Sequence, residues 1–451
     1  MEKIIFLNLF LTLLGGTITG IFIGMIPGLG VLAAMVIAIP LLATLQPTEI
    51  VFFYLGLIIA SQFTGSMVAT FFGIPGEITS IPASVAGYSL FKQGNGRDAL
   101  VLAATGSLFA GCVTTLMIFL LFENLRDVTW IYSSKIYAVM MSLVVLYLIM
   151  MKKNYLTNLF LVIIGLFLGA LGQNVSLQSY SMTFNQGWLT QGLDLPIFAM
   201  LSFVFPTLLM TSFEGKKTNT IKNNNKYNVL SDSKLFCKYL VPCFRGTTIG
   251  IIAGIIPAVG TAVCSNIAWV IEKSIKPLNY RSQLISAESA NNSANLISLI
   301  PVILFGLPIL ASEAIMIELT RSKNGNIGFE WFNEHIGYFS RMELLCLSSI
   351  LISFFMYFLS TRYAMRVINL VNKIPFYFIK FVLPICITLF LLFDLYLDHN
   401  IQIGLFTLLI GSIICFMAVK YKINTLPVLF SFLISSQFLL SLTVVYNIMV
   451  V

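Results

Sequence analysis

Apolar stretches follow one another along most of this chain, separated by short polar turns. A bilayer-spanning helix needs about 20 mostly apolar residues, and roughly eleven or twelve separable stretches of that kind occur. Clear examples in the first half run over about 98–121, 130–150, 156–172 and 192–213. The first stretch, Met1 to Gly24, follows a basic Lys3, and its hydrophobicity continues through Met35 without a small-x-small cleavage site. It is therefore read as a retained first span and not as a signal peptide. Backbone groups in lipid must bond within their own segment, so the pattern predicts an all-α polytopic membrane protein.

Within those stretches one pattern occurs twice. Gly16-Thr-Ile-Thr-Gly20-Ile-Phe-Ile-Gly24-Met-Ile-Pro27-Gly28-Leu-Gly30 returns as Gly246-Thr-Thr-Ile-Gly250-Ile-Ile-Ala-Gly254-Ile-Ile-Pro257-Ala-Val-Gly260, at a constant offset of 230. Phe72-Gly73-Ile-Pro75 returns as Phe305-Gly306-Leu-Pro308 at an offset of 233. Two homologous repeats are expected, 1–213 and 239–451, joined by a polar linker over 214–238.

Loop charges give the expected orientation. The linker carries Lys216, Lys217, Lys222, Lys226, Lys234 and Lys238, which places it in the cytoplasm by the positive-inside rule. Lys152 with Lys153, and Lys92 with Arg97, fall on the same side two spans apart. In the second half Arg362, Arg366 and Lys373 form an inside loop where the first half has an outside loop near Arg126, and Asp394, Asp398 and His399 lie opposite. The repeats are thus expected to be inverted, with an odd number of crossings each.

Composition agrees. The 451 residues are 58% hydrophobic and 10% charged, with mean hydropathy +0.93, against roughly 45–50% apolar and 25% charged in soluble domains. The net charge of +8 would suggest nucleic acid in a soluble chain, but here Lys and Arg sit in short loops and act as topology signals. Seven scattered cysteines and two histidines offer no metal or disulfide signature. No cofactor and no metal are expected.

Gly and Pro breaks at matching places point to discontinuous helices meeting near the bilayer midplane. Gly16, Gly20 and Gly24 read as a small-residue packing stripe. Pro27, Gly28, Gly30, Pro257 and Gly260 instead leave backbone groups that lipid cannot satisfy, so they are candidates for an ion-coupling site, together with Glu288. A second constellation combines Ser61, Gln62, Thr64, Gly65 and Ser66 with Gly73, Pro75 and Gly76. Its counterpart contains Glu288, Asn291, Asn292 and Asn295, then Gly306 and Pro308. Hydroxyls, amides and helix N-termini suit an anion or an oxygen-coordinated cation, and such residues facing lipid would be costly. Ser61, Thr64, Gly65, Ser66, Gly73, Pro75, Gly76, Asn291, Asn292, Asn295, Gly306 and Pro308 are the candidate substrate-binding residues. The bland alternative is an interfacial polar turn in which Glu288 caps a helix.

The motif Gly-x-x-x-Gly-x-x-Pro-Gly-x-Gly, then Gly65-Ser66 and Ile74-Pro75-Gly76-Glu77, Gly94-x-Gly96-Arg97-x-Ala99-Leu100, and Glu288 with Asn291-Asn292 before Gly306-x-Pro308, resembles the large membrane subunit of the tripartite tricarboxylate transporter family. The resemblance covers most of the chain. It implies a secondary active transporter in the bacterial inner membrane that imports a carboxylate or other small organic anion. It further implies a cation gradient as driving force, with a sodium ion or proton as coupling ion. A small membrane subunit and a periplasmic solute-binding protein are the implied partners. The chain departs from the family pattern at Ala86-Gly87-Tyr88, Pro257-Ala258 and Pro308-Ile309, which favours an anion other than citrate. Alternatives are a carrier of a lipid or sugar-linked solute, or an intramembrane enzyme using Ser66, for which neither His335 nor His399 lies in an apolar span to serve as base.

Overall fold

The computed structural model describes residues 2–26, 29–73, 78–128, 134–150, 154–172, 182–190, 192–210, 229–256, 260–323, 325, 327–364, 366 and 401–450. The first half contains α1 (Glu2–Gly24), α2 (Val31–Leu42), α3 (Pro47–Phe72), a 3-10 turn (Ile78–Ser80), a π-helical turn (Ala83–Gly87) and α4 (Tyr88–Lys92). It continues with α5 (Gly96–Val128), α6 (Ser134–Met150), α7 (Tyr155–Gly169), α8 (Leu195–Ala199) and α9 (Phe205–Met210). The second half contains α10 (Val229–Lys238), α11 (Leu240–Gly254), α12 (Gly260–Ile275), α13 (Tyr280–Ile297), α14 (Leu299–Phe305), α15 (Ala311–Arg321) and α16 (Phe329–Asn333). A two-residue hairpin, β1 (His335–Ile336) with β2 (Phe339–Ser340), precedes α17 (Arg341–Arg362), α18 (Ile401–Tyr421) and α19 (Leu426–Val450).

Local chemistry sets these limits. Pro47 opens α3 where its missing N–H costs nothing, and the Gln46 N–H donates to the Glu49 carboxylate at 2.8 Å. Gly73 closes α3 in the left-handed region at φ 67°, and Gly306 closes α14 in the same way at φ 60°. Ser340 and Glu343 form a reciprocal capping box at the start of α17, at 3.2 and 2.7 Å.

Among the described residues five helices are long and apolar enough to cross a membrane, or six if Asp232–Lys238 and α11, bent by 68°, form one span. This is fewer than the apolar stretches in the sequence. Gly and Pro breaks shorten some of those stretches, as in the 12-residue α2; α7 reaches only 15 residues, and the stretch around 371–393 lies outside the described residues. The candidate spans differ in environment: 94% of the most apolar stretch of α3 is buried, against 28% for those of α1 and α18. Ile4, Leu7, Leu11, Leu14 and Ile18 on α1, and Leu405, Leu409 and Ile413 on α18, form exposed apolar stripes at helical spacing. Stripes of this kind on an otherwise closed fold face lipid, so the protein is integral to the membrane.

The glycine stripes explain how α3 is enclosed. A Cβ on Gly16 would overlap the Phe53 carbonyl, one on Gly20 would lie 2.5 Å from the Leu57 carbonyl oxygen, and one on Gly24 2.7 Å from that of Ser61. In the second half a Cβ on Gly246 would overlap the Ser286 carbonyl, one on Gly250 the Ala290 carbonyl, and one on Gly254 would lie 2.7 Å from the Ala294 Cα. The partners 53, 57 and 61 on α3 match 286, 290 and 294 on α13 at an offset of 233. Helices α1 and α3 therefore touch backbone to backbone in the register that α11 and α13 repeat.

The last ten residues of the polar linker are not a loose connection. They form α10, and Asp232 in its first turn pairs with Arg97 at 2.7 Å. Arg281 pairs with Asp98 at 2.8 Å, and Arg245 pairs at 2.6 Å with buried Glu272, which also accepts from Ser282. Charges that a low-dielectric interior would penalise singly are thereby neutralised in pairs.

Candidate functional site

Every residue of α13 from Ser282 to Ile297 is buried, although Glu288, Asn291, Asn292 and Asn295 lie along it. Glu288 sits in the helix interior, so the capping role does not apply. A spacing of three and four residues puts these four side chains on one face, where they meet α3 and α5. Ser66 Oγ donates to Glu288 Oε2 at 2.5 Å, and Asn291 Nδ2 donates to Gln62 Oε1 at 2.6 Å. Asn292 Nδ2 donates to Ser107 Oγ at 2.8 Å and to the Glu288 carbonyl at 3.0 Å. Asn295 Nδ2 reaches Asn291 Oδ1 at 3.3 Å. Polar groups costly in lipid thus satisfy one another across the α3–α13 contact, joining the two halves of the chain.

Beside this network lies a cavity of about 500 Å³. Its wall includes the N-termini of α2 (Gly30 to Leu32), α12 (Gly260, Thr261), α15 (Leu310 to Ser312) and α19 (Leu426), with Thr79 from the 3-10 turn. The side chains of Gln62 and Asn295 also belong to it, as do Tyr147, Thr207 and Asn424. Four pairs of lining positions match between the halves: Gly30 with Gly260 and Val31 with Thr261 at an offset of 230, and Gln62 with Asn295 and Thr79 with Ser312 at 233. Helix N-termini carry partial positive charge, so several lining one space favour an anion there, although the Ile309 and Leu310 N–H groups at α15 already donate to Glu313 and that of Leu426 at α19 to Asn424. None of the described residues lining the cavity is charged.

The sequence-derived candidates divide between these two places. Gly30, Gly260 and Asn295 line the cavity. Ser66, Glu288, Asn291 and Asn292 form the adjoining network. Ser61 donates to the Ile58 carbonyl at 3.1 Å, and Thr64 to those of Ala60 and Gly20 at 2.9 and 3.3 Å, so both hydroxyls are spent on backbone. Gly65, Gly73, Gly306 and Pro308 do not line the cavity, and Gly73 and Gly306 act as helix stops. Pro27, Gly28, Pro75, Gly76 and Pro257 lie outside the described residues.

The selection of sites from sequence missed Thr79, Thr261, Ser312 and Asn424, and quoted Gln62 without choosing it. The repeat offset was the available signal for Gln62, because it maps onto Asn295. Glu313 was missed as well: its carboxyl accepts from Ser298 Oγ at 2.7 Å and from the N–H groups of Ile309 and Leu310 at 2.8 and 2.9 Å. His335 is exposed in β1, whereas Ser66 is buried against Glu288, so the arrangement that a serine nucleophile requires is not built from these two.

No solved structure matches the chain at a significant level. Similar proteins include an uncharacterized 52.8 kDa protein in the TAR-I ttuC' 3'region of Agrobacterium vitis, 28% identical over 309 residues, which are 67% of this chain and 61% of that protein. Another is an uncharacterized protein of Methanocaldococcus jannaschii, 25% identical over 308 residues, 67% of this chain and 70% of that protein. The chain therefore spans about 61% of the length of the first relative. The model of the tripartite tricarboxylate transporter TctA family matches residues 10–430, nearly the whole sequence, and the chain belongs to that family.

Proposed function

We propose that this protein is the membrane carrier subunit of a secondary transporter for a small organic anion, and that the 500 Å³ cavity is where the anion binds. One observation carries the reading: helix N-termini from both halves line one space, flanked by the paired positions Gln62 and Asn295, with no charged side chain among the described lining residues. The tripartite family name supports a small membrane subunit and a periplasmic solute-binding protein as partners, with the bacterial inner membrane as location. The matched glycine contacts and the loop charges support two repeats of inverted topology, related across the α3–α13 contact.

This orientation puts the linker and α10 in the cytoplasm. Cys237 is exposed on α10. A membrane-impermeant maleimide should label a variant retaining only Cys237 after permeabilisation and not in intact cells; labelling in intact cells would reverse the orientation.

An anion entering against an inside-negative potential is opposed by about 2.3 kcal/mol per charge per 100 mV, which a co-transported cation offsets. Glu288, held by Ser66 beside the cavity wall, is the proposed group that binds a sodium ion or carries a proton. Glu288→Gln keeps an acceptor for Ser66 and removes the charge. In proteoliposomes containing the partner subunits, the variant should lose at least tenfold in gradient-driven uptake and no longer respond to the coupling gradient. Uptake at the wild-type rate with the wild-type ion dependence would show that Glu288 only holds the helices together.

A further inference from the structure

Resting on the anion-site reading above, we infer that Glu313 is a positioning residue for the cavity: it does not line the space, but it fixes the turn that carries Ser312 and the separation of Ser312 from Asn295. Both of those residues belong to the wall. Between them the chain leaves α13, forms α14, stops at Gly306 and turns through residues 306–310 into α15. Glu313 closes this excursion at its neck. Its Oε1 accepts from Ser298 Oγ at 2.7 Å, and its Oε2 accepts from the Ile309 and Leu310 N–H groups at 2.8 and 2.9 Å. Ser298 Oγ also lies 2.9 Å from the Asn295 carbonyl oxygen. One buried carboxyl thus ties the end of α13, just past Asn295, to the turn just before Ser312. Without it, two N–H groups of an interior turn would lose their acceptor, and the turn would be free to shift.

Comparison of the halves gives the same result. The matches of Ser298 and Glu313 at the offset of 233 are Gly65 and Ser80, and Gly65 has no hydroxyl to offer, so this clamp belongs to the second half alone. Thr79, the match of Ser312, is held instead through its carbonyl, which accepts from Ser265 Oγ of α12 at 3.0 Å. Ser312 Oγ in turn shares a hydrogen bond with the Tyr54 hydroxyl of α3 at 3.2 Å. Each of these two wall residues is therefore tied to an element of the other half, and Ser312 is additionally held by its clamped turn. Such restraint matters for affinity because a site pays for every group it must order on binding. A turn that presents Ser312 correctly only one tenth of the time weakens apparent binding about tenfold.

The test is equilibrium binding of citrate, succinate and hexanoate to the full chain in lipid nanodiscs, with amide hydrogen exchange of residues 306–312 followed in parallel. For the probe that the wild type binds most tightly, Glu313→Ala should raise Kd about tenfold, leave the number of sites per chain unchanged and speed exchange in that segment. Glu313→Gln can accept both N–H groups on its amide oxygen and donate to Ser298 Oγ, so it should restore Kd to within about threefold of wild type. Fewer sites at an unchanged Kd would show that Glu313 only supports folding. Equal weakness of Glu313→Gln and Glu313→Ala would show that the charge acts and not the clamp. Should Glu313→Ala not yield a monodisperse protein, Ser298→Ala, which removes one arm of the clamp, decides: a raised Kd with faster exchange is expected, and wild-type behaviour overturns the assignment. Binding that Asn295→Asp weakens but Glu313→Ala does not would sink the positioning role alone. No binding of any of the three probes by the wild type would overturn the anion site and this assignment with it.

Discussion

Placing a negative charge in the cavity, by Asn295→Asp or Gln62→Glu, should reduce anion binding about a hundredfold. Both side chains belong to the wall, at matching positions of the two halves. A carboxylate there would stand about 5 Å from that of a bound anion, and at an effective dielectric constant near 20 the repulsion is about 3 kcal/mol. Neither substitution changes side-chain size appreciably. Glu at position 62 keeps the oxygen that accepts from Asn291, and Asp at 295 gives up only a 3.3 Å bond to Asn291. Each variant should elute as a monodisperse species and bind anion about a hundredfold more weakly in an equilibrium assay. Wild-type affinity in both would place the site elsewhere.

The glycine stripes should prove equally intolerant, through folding and not through binding. Overpacking a well-fitted contact by a methylene or two costs typically about 1–3 kcal/mol. At Gly16 and Gly246 the obstacle is a backbone carbonyl on the facing helix, which cannot rotate aside as a side chain would. Gly16→Leu or Gly246→Leu should therefore abolish the monodisperse peak after detergent extraction. Gly65→Ala, on α3 itself but with open space at the Cβ, should leave that peak unchanged. Equal behaviour of all three would contradict the backbone-to-backbone packing of α1 on α3 and of α11 on α13.

What could be read from the sequence, and what could not, follows from the range of the interactions. The glycine stripes were legible because a helix contact repeats every four residues within one segment, and the second copy confirmed the spacing. The polar face of α13 was legible because four such side chains in an apolar neighbourhood must find partners inside the protein. Ser61 and Thr64 were misleading, because a hydroxyl in a helix can be satisfied by the carbonyl of the preceding turn, and sequence does not separate that from a hydroxyl facing a ligand. The cavity was illegible in outline, since its wall draws on segments as distant as Gly30 and Phe430. Glu313 escaped notice because the residue three before it is Leu310, so no Ser or Thr announces a helix start. The number of apolar stretches overstated the number of full-length helices, because residues such as Gly254 and Gly260 end and start helices within one stretch.

The central claim is that the converging helix ends and the Gln62–Asn295 pair hold the transported anion. The most direct test is an electron cryomicroscopy structure of the full chain in nanodiscs with saturating 6-bromohexanoate, compared with the same preparation without it. The account predicts added density between Gln62 and Asn295, with the carboxylate at the helix ends. Added density confined to another place, such as the apolar groove between α1 and α17 lined by Phe10 and Leu351, would contradict it.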